Sequence, residues 1–181
     1  MSDLLTAANA NSGSFYHYFD SKEALLLAVL DLYLAMLRPQ LLDPAWEGVS
    51  DPIDRIFALL ARYRELIVQT ECTYGCPIGR LALEISPEQA EVHRLLAQNF
   101  DGWAAAVAEC LKKAADRLPA DLDLDRLSKF VLAVMEGGVM LSRSHRSVEP
   151  FDLAVAELRS YFDRLMRSSI QKKKKKRKGT V

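Results

Sequence analysis

The chain has 181 residues, half of them hydrophobic, which is enough material for one domain of ordinary size with a packed core. Its formal net charge is zero, but a single run, KKKKKRK, holds seven of the 24 basic residues, so the remainder carries 17 basic against 24 acidic side chains. An acidic body excludes a broad nucleic-acid-binding platform and restricts any DNA contact to a local surface.

Targeting and redox features point to the cytoplasm. The N-terminus has no signal-peptide pattern, and no apolar run approaches the ~20 residues of a membrane span. Cys72, Cys76 and Cys110 form an odd set, which predicts reduced thiols rather than a disulfide framework. We therefore expect a cytoplasmic protein that makes no membrane contact.

Two short helices separated by a three-residue turn are predicted at the start of the chain. SDLLTAA forms the first, and Asn11 or Ser12 caps a second that begins at Gly13. The turn is Asn-Ala-Asn, and Asn9 tolerates a left-handed backbone better than other non-glycine residues. This pattern predicts a helix-turn-helix, whose outward Ser, Tyr and His side chains suit phosphate and base-edge contacts.

The second short helix is predicted to have an inner and an outer face. Phe15 and Phe19 are four residues apart and should be buried together. Asp20 or Ser21 then caps the next helix, and Lys22 in its first turn makes a ready phosphate site. The alternative is that the tyrosines merely seal a helical core, since isolated helix-turn-helix patterns give many false positives.

Longer amphipathic helices follow. KEALLLAVLDLYLAML has an apolar stripe that includes Tyr33 and Met36, and Pro39 should end it. Asp51 is expected to cap the next helix, with proline at its first position. SPEQ reads as a capping box that opens a helix to about Leu118, with a break near Gly102.

Two further helices, LDLDRLSKFVLAVMEGGVMLSR and PFDLAVAELRSYFDRLM, complete the chain, and no strand pattern is found. The predicted fold class is all-α, with a short N-terminal helix-turn-helix followed by a larger helical ligand-binding and dimerisation domain.

The stretch NSGSFYHYFDSKEALLLAVL resembles the signature of the TetR family of bacterial transcriptional regulators, which runs from the recognition helix into the fourth helix. GCPIGRLALEIS resembles part of the effector domain in one branch of that family, and MEGGVMLSR resembles its eighth helix, usually part of the dimer interface. The resemblance implies a homodimeric repressor that binds a palindromic double-stranded operator and releases it on binding a small-molecule effector. It assigns DNA contacts to Ser12, Gly13, Ser14, Tyr16, His17, Tyr18 and Lys22.

The same resemblance divides the chain into three parts. Residues 1–37 would form an incomplete helix-turn-helix region with its connecting helix, 38–168 the effector-binding and dimerisation domain, and 169–181 a disordered basic tail. The family normally has glycine at the position of Asn9 and a further helix ahead of the SDLL segment. We therefore expect a soluble dimer with weakened specific DNA binding and a mobile segment up to Asp20, explained by a start codon assigned too far downstream or by a truncation.

A largely apolar cavity with a few polar groups is expected among the middle helices. Ordinary core packing is the alternative for each candidate side chain. The ligand-binding candidates are Phe57, Tyr63, Cys76, Trp103, Met135 and Glu136.

Apolar residues recur at three- and four-residue spacing on the last two helices, which predicts a four-helix interface with a second subunit. The alternative is that both stripes only close the core of the monomer. The predicted interface comprises Leu127, Val131, Val134, Gly138, Leu141, Val155, Leu158 and Phe162.

The remaining motifs are weak. CTYGC has poor spacing for zinc, and no catalytic set or phosphate-binding glycine loop is present, so we expect no metal, cofactor or enzymatic activity. Two rival functions are a dimeric small-molecule-binding module that has lost operator binding and a redox sensor that uses Cys72 and Cys76. The lysine run is interpreted as a solvated tail or expression remnant, a nonspecific DNA tether, or a nuclear-import-like signal.

Overall fold

The computed structural model describes residues 2–178, with side chains to residue 170, and this part of the chain contains helices and no strand. The predicted all-α class is therefore confirmed. The helices are α1 (Ser2–Ala7), α2 (Ser12–Tyr18), α3 (Lys22–Met36), α4 (Asp43–Trp46), α5 (Pro52–Gln69), α6 (Pro77–Glu84), α7 (Ala90–Lys113), α8 (Leu124–His145) and α9 (Glu149–Lys178).

Local side-chain caps define the helix-turn-helix. Asn9 has φ 49°, the left-handed conformation expected of it. The Asn11 side-chain oxygen accepts a hydrogen bond from the Ser14 amide at 2.8 Å, so α2 begins at Ser12. The Ser21 hydroxyl accepts one from the Ala24 amide at 3.0 Å and caps α3 in the same way.

The two phenylalanines of α2 lie on its inner face, as predicted. Phe15 is buried, and its ring centroid is 5.8 Å from that of the half-buried Phe19. On α1, Leu4 remains 42% exposed. Phe15 is thus the side chain that attaches α2 to the protein, because it is the buried residue of this helix.

The predicted helix end at Pro39 is wrong. The chain continues through a π-helical turn, Leu37–Leu42, directly into α4. Proline has no N–H group and clashes with the carbonyl four residues earlier, and a wider turn relieves this clash without ending the helix. The helical stretch Lys22–Trp46 is consequently long and apolar enough, by length and composition, to pass as a membrane span, contrary to our expectation. Its α3 part contacts α7, and Leu30 is the one buried residue of α3.

The buried side of α3 also differs from the predicted stripe. Leu30, outside that stripe, is completely buried, whereas Tyr33 and Met36 are about two-fifths exposed. The reason is that α3 lies on α7 through Leu30, and this contact turns the other two side chains towards a cavity described below.

The capping box predicted at SPEQ does not form. α7 begins at Ala90, and the Ser86 hydroxyl donates to the Glu88 carboxylate instead of accepting from a backbone amide. The helix is unbroken at Gly102, and a 3₁₀ turn, Ala115–Arg117, follows it. Its end therefore lies close to the predicted one.

Two apolar cores hold the helices together. The larger lies among α5, α7, α8 and α9, and its fully buried members include Phe151 and Phe162. The smaller joins α3, α6 and α7 through Leu30, Ile78, Val92, Leu95 and Leu96. The smaller core attaches the helix-turn-helix segment to the rest of the protein.

The contact between α8 and α9 corrects the predicted dimer interface. A Cβ atom at Gly138 would lie 2.9 Å from the Phe151 ring, so this glycine allows α8 to approach α9 of its own chain. The Phe151 amide also donates to the buried Ser142 hydroxyl at 3.2 Å. Five of the eight interface candidates are buried inside the monomer and cannot contact a second copy: Leu127, Val131, Gly138, Leu158 and Phe162.

Three of the predicted interface residues keep some exposure. Leu141 is 46% exposed, and Val134 and Val155 are half-buried beside the larger core. The exposed apolar strip on these two helices is instead formed by Phe130, Gly137, Met140, Leu141 and Leu153. Apolar residues do recur at three- and four-residue spacing on α8 and α9, but most of them lie on the face that packs inside the monomer.

The basic segment is not without structure up to Lys178, because α9 continues to that residue. Lysine and arginine favour helix, and after Pro150 in its first turn α9 contains no proline or glycine. The tail from residue 169 was predicted to be disordered; its part to Lys178 is assigned to α9, and residues 179–181 lie outside the described part of the chain.

The Asp51 cap generates a stability prediction. Its carboxylate accepts from the amides of Ile53 (2.8 Å) and Asp54 (3.0 Å) and pairs with Arg117. Burial raises the pKa of Asp51, but the hydrogen bonds from Arg117 and the two amides lower it by more, so it lies below 3.8. Asp51→Ala should lower the free energy of unfolding by about 1–2 kcal/mol at neutral pH. Asp51→Asn should cost less, because its amide oxygen can still cap.

Urea denaturation at fixed protein concentration across pH checks this. A lowered pKa means that the charge contribution is present above the ordinary value and is lost as pH falls through the folded-state value. The difference between wild type and Asp51→Asn should therefore disappear in acid. Equal destabilisation by both variants at every pH would contradict the proposed cap.

Candidate functional site

The outer face of α2 is the first candidate surface. Tyr16 is 58% and Tyr18 76% exposed, and the Tyr18 ring stands edge-to-face on His17 at 4.9 Å. Lys22 is exposed in the first turn of α3, next to the Ser21 cap. The structure thus exposes every predicted DNA-contact residue on α2 and the start of α3: Ser12, Gly13, Ser14, Tyr16, His17, Tyr18 and Lys22.

The second candidate site is a cavity of about 290 Å³ between α3, α5, α6, α7 and α8. It lies near the lower end of the volumes typical of small-molecule sites and is mainly apolar. Five of the six predicted ligand-binding residues meet in it: Tyr63, Cys76, Trp103, Met135 and Glu136.

The sixth candidate, Phe57, does not line this cavity. Its ring packs edge-to-face on Phe162 at 5.5 Å, and the Arg159 guanidinium lies 3.4 Å above it. Phe57 therefore belongs to the core between α5 and α9, which was the alternative considered for it.

Sequence reasoning missed 11 of the 16 residues of the cavity wall. The π-helical turn after α3 contributes Leu37, Gln40 and Leu41, and Pro39 was the signal that could have drawn attention to this turn. The other unpredicted residues come from five helices: Tyr33, Met36, Leu66, Pro77, Ile78, Asn99, Phe100 and Leu132.

Asn99 connects the cavity wall to the helix-turn-helix. Its buried side-chain amide donates to the Leu30 carbonyl of α3 and to the Leu95 carbonyl of its own helix, both at 3.0 Å. The same helix α3 presents Tyr33 and Met36 to the cavity, and it begins at Lys22 beside α2. The cavity wall and the exposed face of α2 are therefore joined through α3.

Glu136 and Cys76 form the polar end of the cavity. The Glu136 Oε1 atom is buried without a hydrogen-bond partner. Its Oε2 atom lies against α6, since a Cβ at Gly79 would be 2.5 Å from it. Burial raises the pKa of Glu136, and a hydrogen bond from the Cys76 thiol offsets part of this.

The thiol and phenol beside this carboxyl share its environment. Burial, together with the nearby Glu136 carboxylate, raises the pKa of Cys76 to about 12. Burial, then the charges of Cys76 and Glu136, raises the pKa of Tyr63 as well. The ionised forms of both groups are disfavoured at neutral pH, so Cys76 is a protonated hydrogen-bond donor.

A surface groove adjoins the cavity between α6 and α8. It shares Cys76, Phe100 and Glu136 with the cavity, and it also contains Arg143 and the open face of Gly137. Cys76, Phe100 and Glu136 therefore lie between the cavity in the interior and the groove on the surface.

The predicted thiol pair has no geometry for a metal. Cys72 is buried in a left-handed turn with φ 58°, and within the described residues no group of three potential metal ligands occurs.

Two family models match the chain. The model described as "Transcriptional regulator LmrA/YxaF-like, C-terminal domain" matches residues 52–157, and "Bacterial regulatory proteins, tetR family" matches residues 1–29. The second model covers the helix-turn-helix, and the first covers α5 to α8 and the start of α9.

Similar proteins are described as transcriptional regulators. The chain is 31% identical to an uncharacterized HTH-type transcriptional regulator of Mycobacterium tuberculosis (strain CDC 1551 / Oshkosh), covering 88% of this chain and 81% of the relative. It is 29% identical to the HTH-type transcriptional repressor DhaR of Mycobacterium sp. (strain GP1), covering 83% and 75%. The crystal structure of regulatory protein TetR from Rhodobacter sphaeroides superposes with a TM-score of 0.78 at 25% identity, covering 86% of this chain and 84% of that one.

The orphaned carboxyl oxygen leads to a second stability prediction. Glu136→Gln should raise the free energy of unfolding of the ligand-free protein by about 1–3 kcal/mol at neutral pH, because a neutral amide is cheaper to bury than an unpaired carboxylate. The raised pKa means that the folded state holds a proton above the ordinary value of 4.5. The penalty is therefore full above the folded-state pKa and disappears as pH falls below the ordinary one.

Urea denaturation of both proteins across pH measures this difference. Asp101→Asn removes an exposed carboxylate from α7, outside the cavity, and serves as the matched control. A lower stability of Glu136→Gln than of wild type at neutral pH would show that the carboxylate is compensated in the folded protein.

Proposed function

The chain belongs to the TetR family of bacterial transcriptional regulators, and from this premise we propose that it is a ligand-responsive repressor that releases its operator when a small molecule fills the cavity. One observation carries the proposal: α3 lines the cavity at one end and supports the DNA-contact face at the other. The relatives are regulators and not enzymes, and we infer the same for this chain, working in the cytoplasm.

The DNA-contact surface is α2 with the first turn of α3. Its free hydroxyls and rings suit base edges and phosphates in a major groove, where a recognition helix inserts its exposed side. Lys22 and the amide groups at the start of α3 supply phosphate contacts. This patch is local and mainly polar, with Lys22 as its one lysine between Asp20 and Glu23, and it is compatible with the acidic body of the protein.

The ligand acts through α3. A molecule in the cavity touches Tyr33 and Met36, whereas Leu30 and its hydrogen bond with Asn99 keep α3 attached to α7. Tyr33 and Met36 lie on the C-terminal side of Leu30, the point where α3 is attached. Ligand contacts with them therefore tilt α3 about that point, and its N-terminal end at Lys22 moves. The ligand then favours a helix orientation that no longer fits the operator.

A groove along α3 leaves room for this motion. It lies between α3 and α6, with Leu26 and Val29 on one wall and Leu81 and Ile85 on the other, and Leu4 of α1 at its edge. The α3 helix is thus packed on α7 but only loosely flanked by α6.

Dimerisation is proposed through the exposed apolar strip of α8 and α9. Phe130 and Leu141 are about half exposed, Leu153 is 62% exposed, and a Cβ atom at Gly137 would meet no atom of another part of the protein within 4 Å. An apolar strip on two adjacent helices is suited to a two-fold interface, which would place two recognition helices on a palindromic operator. Regulators of this family usually act as dimers, which supports the proposal.

The redox-sensor alternative has less support. A reactive cysteine needs an accessible thiolate, and burial beside Glu136 raises the pKa of Cys76 to about 12. Cys72 is buried as well. The same thiol fits better as a hydrogen-bond donor in a ligand cavity.

Operator binding tests the DNA surface. From a random duplex library, the wild-type chain should enrich a palindromic sequence. Tyr18→Ala should weaken binding to that sequence by about five- to a hundredfold, the range for one lost base contact, without changing the melting temperature.

Tyr74→Ala is the matched control, since Tyr74 is 67% exposed in the loop before α6. It should bind as wild type in the same gel-shift titration. Equal weakening by both variants, or no enrichment of any sequence, would contradict the proposed surface.

Leu141→Asp tests the dimer strip, because a carboxylate on a packed apolar interface is strongly unfavourable. The variant should sediment as a monomer at concentrations where wild type is a dimer. Leu32→Asp is the control, as Leu32 is 53% exposed on α3, away from α8 and α9. A dimeric Leu141→Asp would place the interface elsewhere.

A further inference from the structure

The charge content of the cavity restricts its ligand. Glu136 is the one charged side chain among the described residues that line it. Its Oε1 atom is buried and has no hydrogen-bond partner. No lysine, arginine or histidine of the wall neutralises it. The free protein therefore holds an uncompensated acidic group at the end of an apolar space.

The groups that face Glu136 do not remove this charge. Cys76 at the start of α6 and Tyr63 on α5 are neutral at neutral pH, and the thiol supplies a single weak hydrogen bond. On the groove side, Arg80 pairs with Glu84 on its own helix at 2.9 Å. Arg143 lines only the groove and not the cavity.

Four aromatic rings surround the same space, from Tyr33, Tyr63, Phe100 and Trp103. Tyr63 and Trp103 stand edge-to-face with ring centroids 6.4 Å apart. The negative faces of aromatic rings attract organic cations, and the attraction grows where water is excluded. The Glu136 carboxyl group and the aromatic rings of the wall therefore favour a ligand with positive charge and an aromatic or aliphatic body.

We propose that the effector is an organic monocation, an amine with an apolar body, whose ammonium nitrogen pairs with Glu136 while its body lies among the aromatic rings. The inference rests on the proposed function and names the ligand class of the same cavity. An anion would be repelled by the carboxylate, and a neutral alcohol would satisfy Oε1 but leave the charge uncompensated. The volume of about 290 Å³ suits a molecule of one or two rings.

Isothermal titration with three compounds of one shape tests the ligand class without DNA. They are 4-phenylbutylamine, which is cationic at neutral pH, 4-phenylbutan-1-ol, which is neutral, and 4-phenylbutanoate, which is anionic. For the wild-type protein at fixed ionic strength, the amine should bind at least about tenfold more tightly than the alcohol, and the anion most weakly.

Two variants assign the preference to the carboxylate. In Glu136→Gln, amine and alcohol should bind within about threefold of each other, because the charge that distinguishes them is gone. In Asp101→Asn, which removes an exposed negative charge from α7, the wild-type preference should remain. Thermal denaturation of each variant confirms that the proteins compared are folded.

Three results would overturn the proposal: equal or tighter binding of the alcohol by wild type, an unchanged amine preference in Glu136→Gln, or no amine binding at all. Failure of the proposed function has a different signature. If the chain binds the amine through Glu136 but binds no operator, the proposed ligand class stands and the proposed repressor function fails. If only neutral molecules release the operator, the proposed repressor function stands and the proposed ligand class fails.

Discussion

The attachment of α3 to α7 is the contact on which the proposed mechanism depends. Leu30 is fully buried in the smaller core, and its carbonyl accepts a hydrogen bond from the buried Asn99 amide. This fixes one point of a helix that also presents Tyr33 and Met36 to the cavity and Leu26 and Val29 to the groove. Breaking a buried hydrogen bond leaves unpaired polar groups, so this point resists movement more than the rest of the helix. The helix-turn-helix and the cavity are therefore linked through a short apolar patch and one amide.

The cavity departs from the rules that govern the rest of the interior. Elsewhere, buried polar groups such as Ser142 and Ser169 have hydrogen-bond partners. The Glu136 Oε1 atom, in the cavity wall, has no partner, and neither has Arg62 Nε, which lies outside the cavity. An unpaired buried polar group needs an explanation, and a ligand that completes it is one. The position of Glu136 Oε1 in the cavity wall supports a binding role more strongly than the volume of the cavity does.

A π-helical turn and two glycines also shape the cavity and the packing of the helices. The π-helical turn at Pro39 adds three side chains to the cavity wall, and it redirects the chain from α3 into α4 without a loop. Gly138 brings α8 against α9, whereas the adjacent Gly137 faces outward beside the groove. One glycine thus closes the monomer core, and the other leaves a smooth surface for the proposed dimer.

The sequence by itself determined the helical class, the family resemblance, most helix starts and five of the cavity residues. The caps at Asn11, Ser21 and Asp51 could be predicted because each depends on a side chain and backbone amides a few residues away. Only the tertiary structure decided which face of each helix is buried. Leu30 rather than Tyr33 faces α7, and Val131 faces α9 rather than a second subunit, because an apolar stripe does not specify its partner. The cavity wall combines residues from distant segments, and the space between them exists only once the helices have packed.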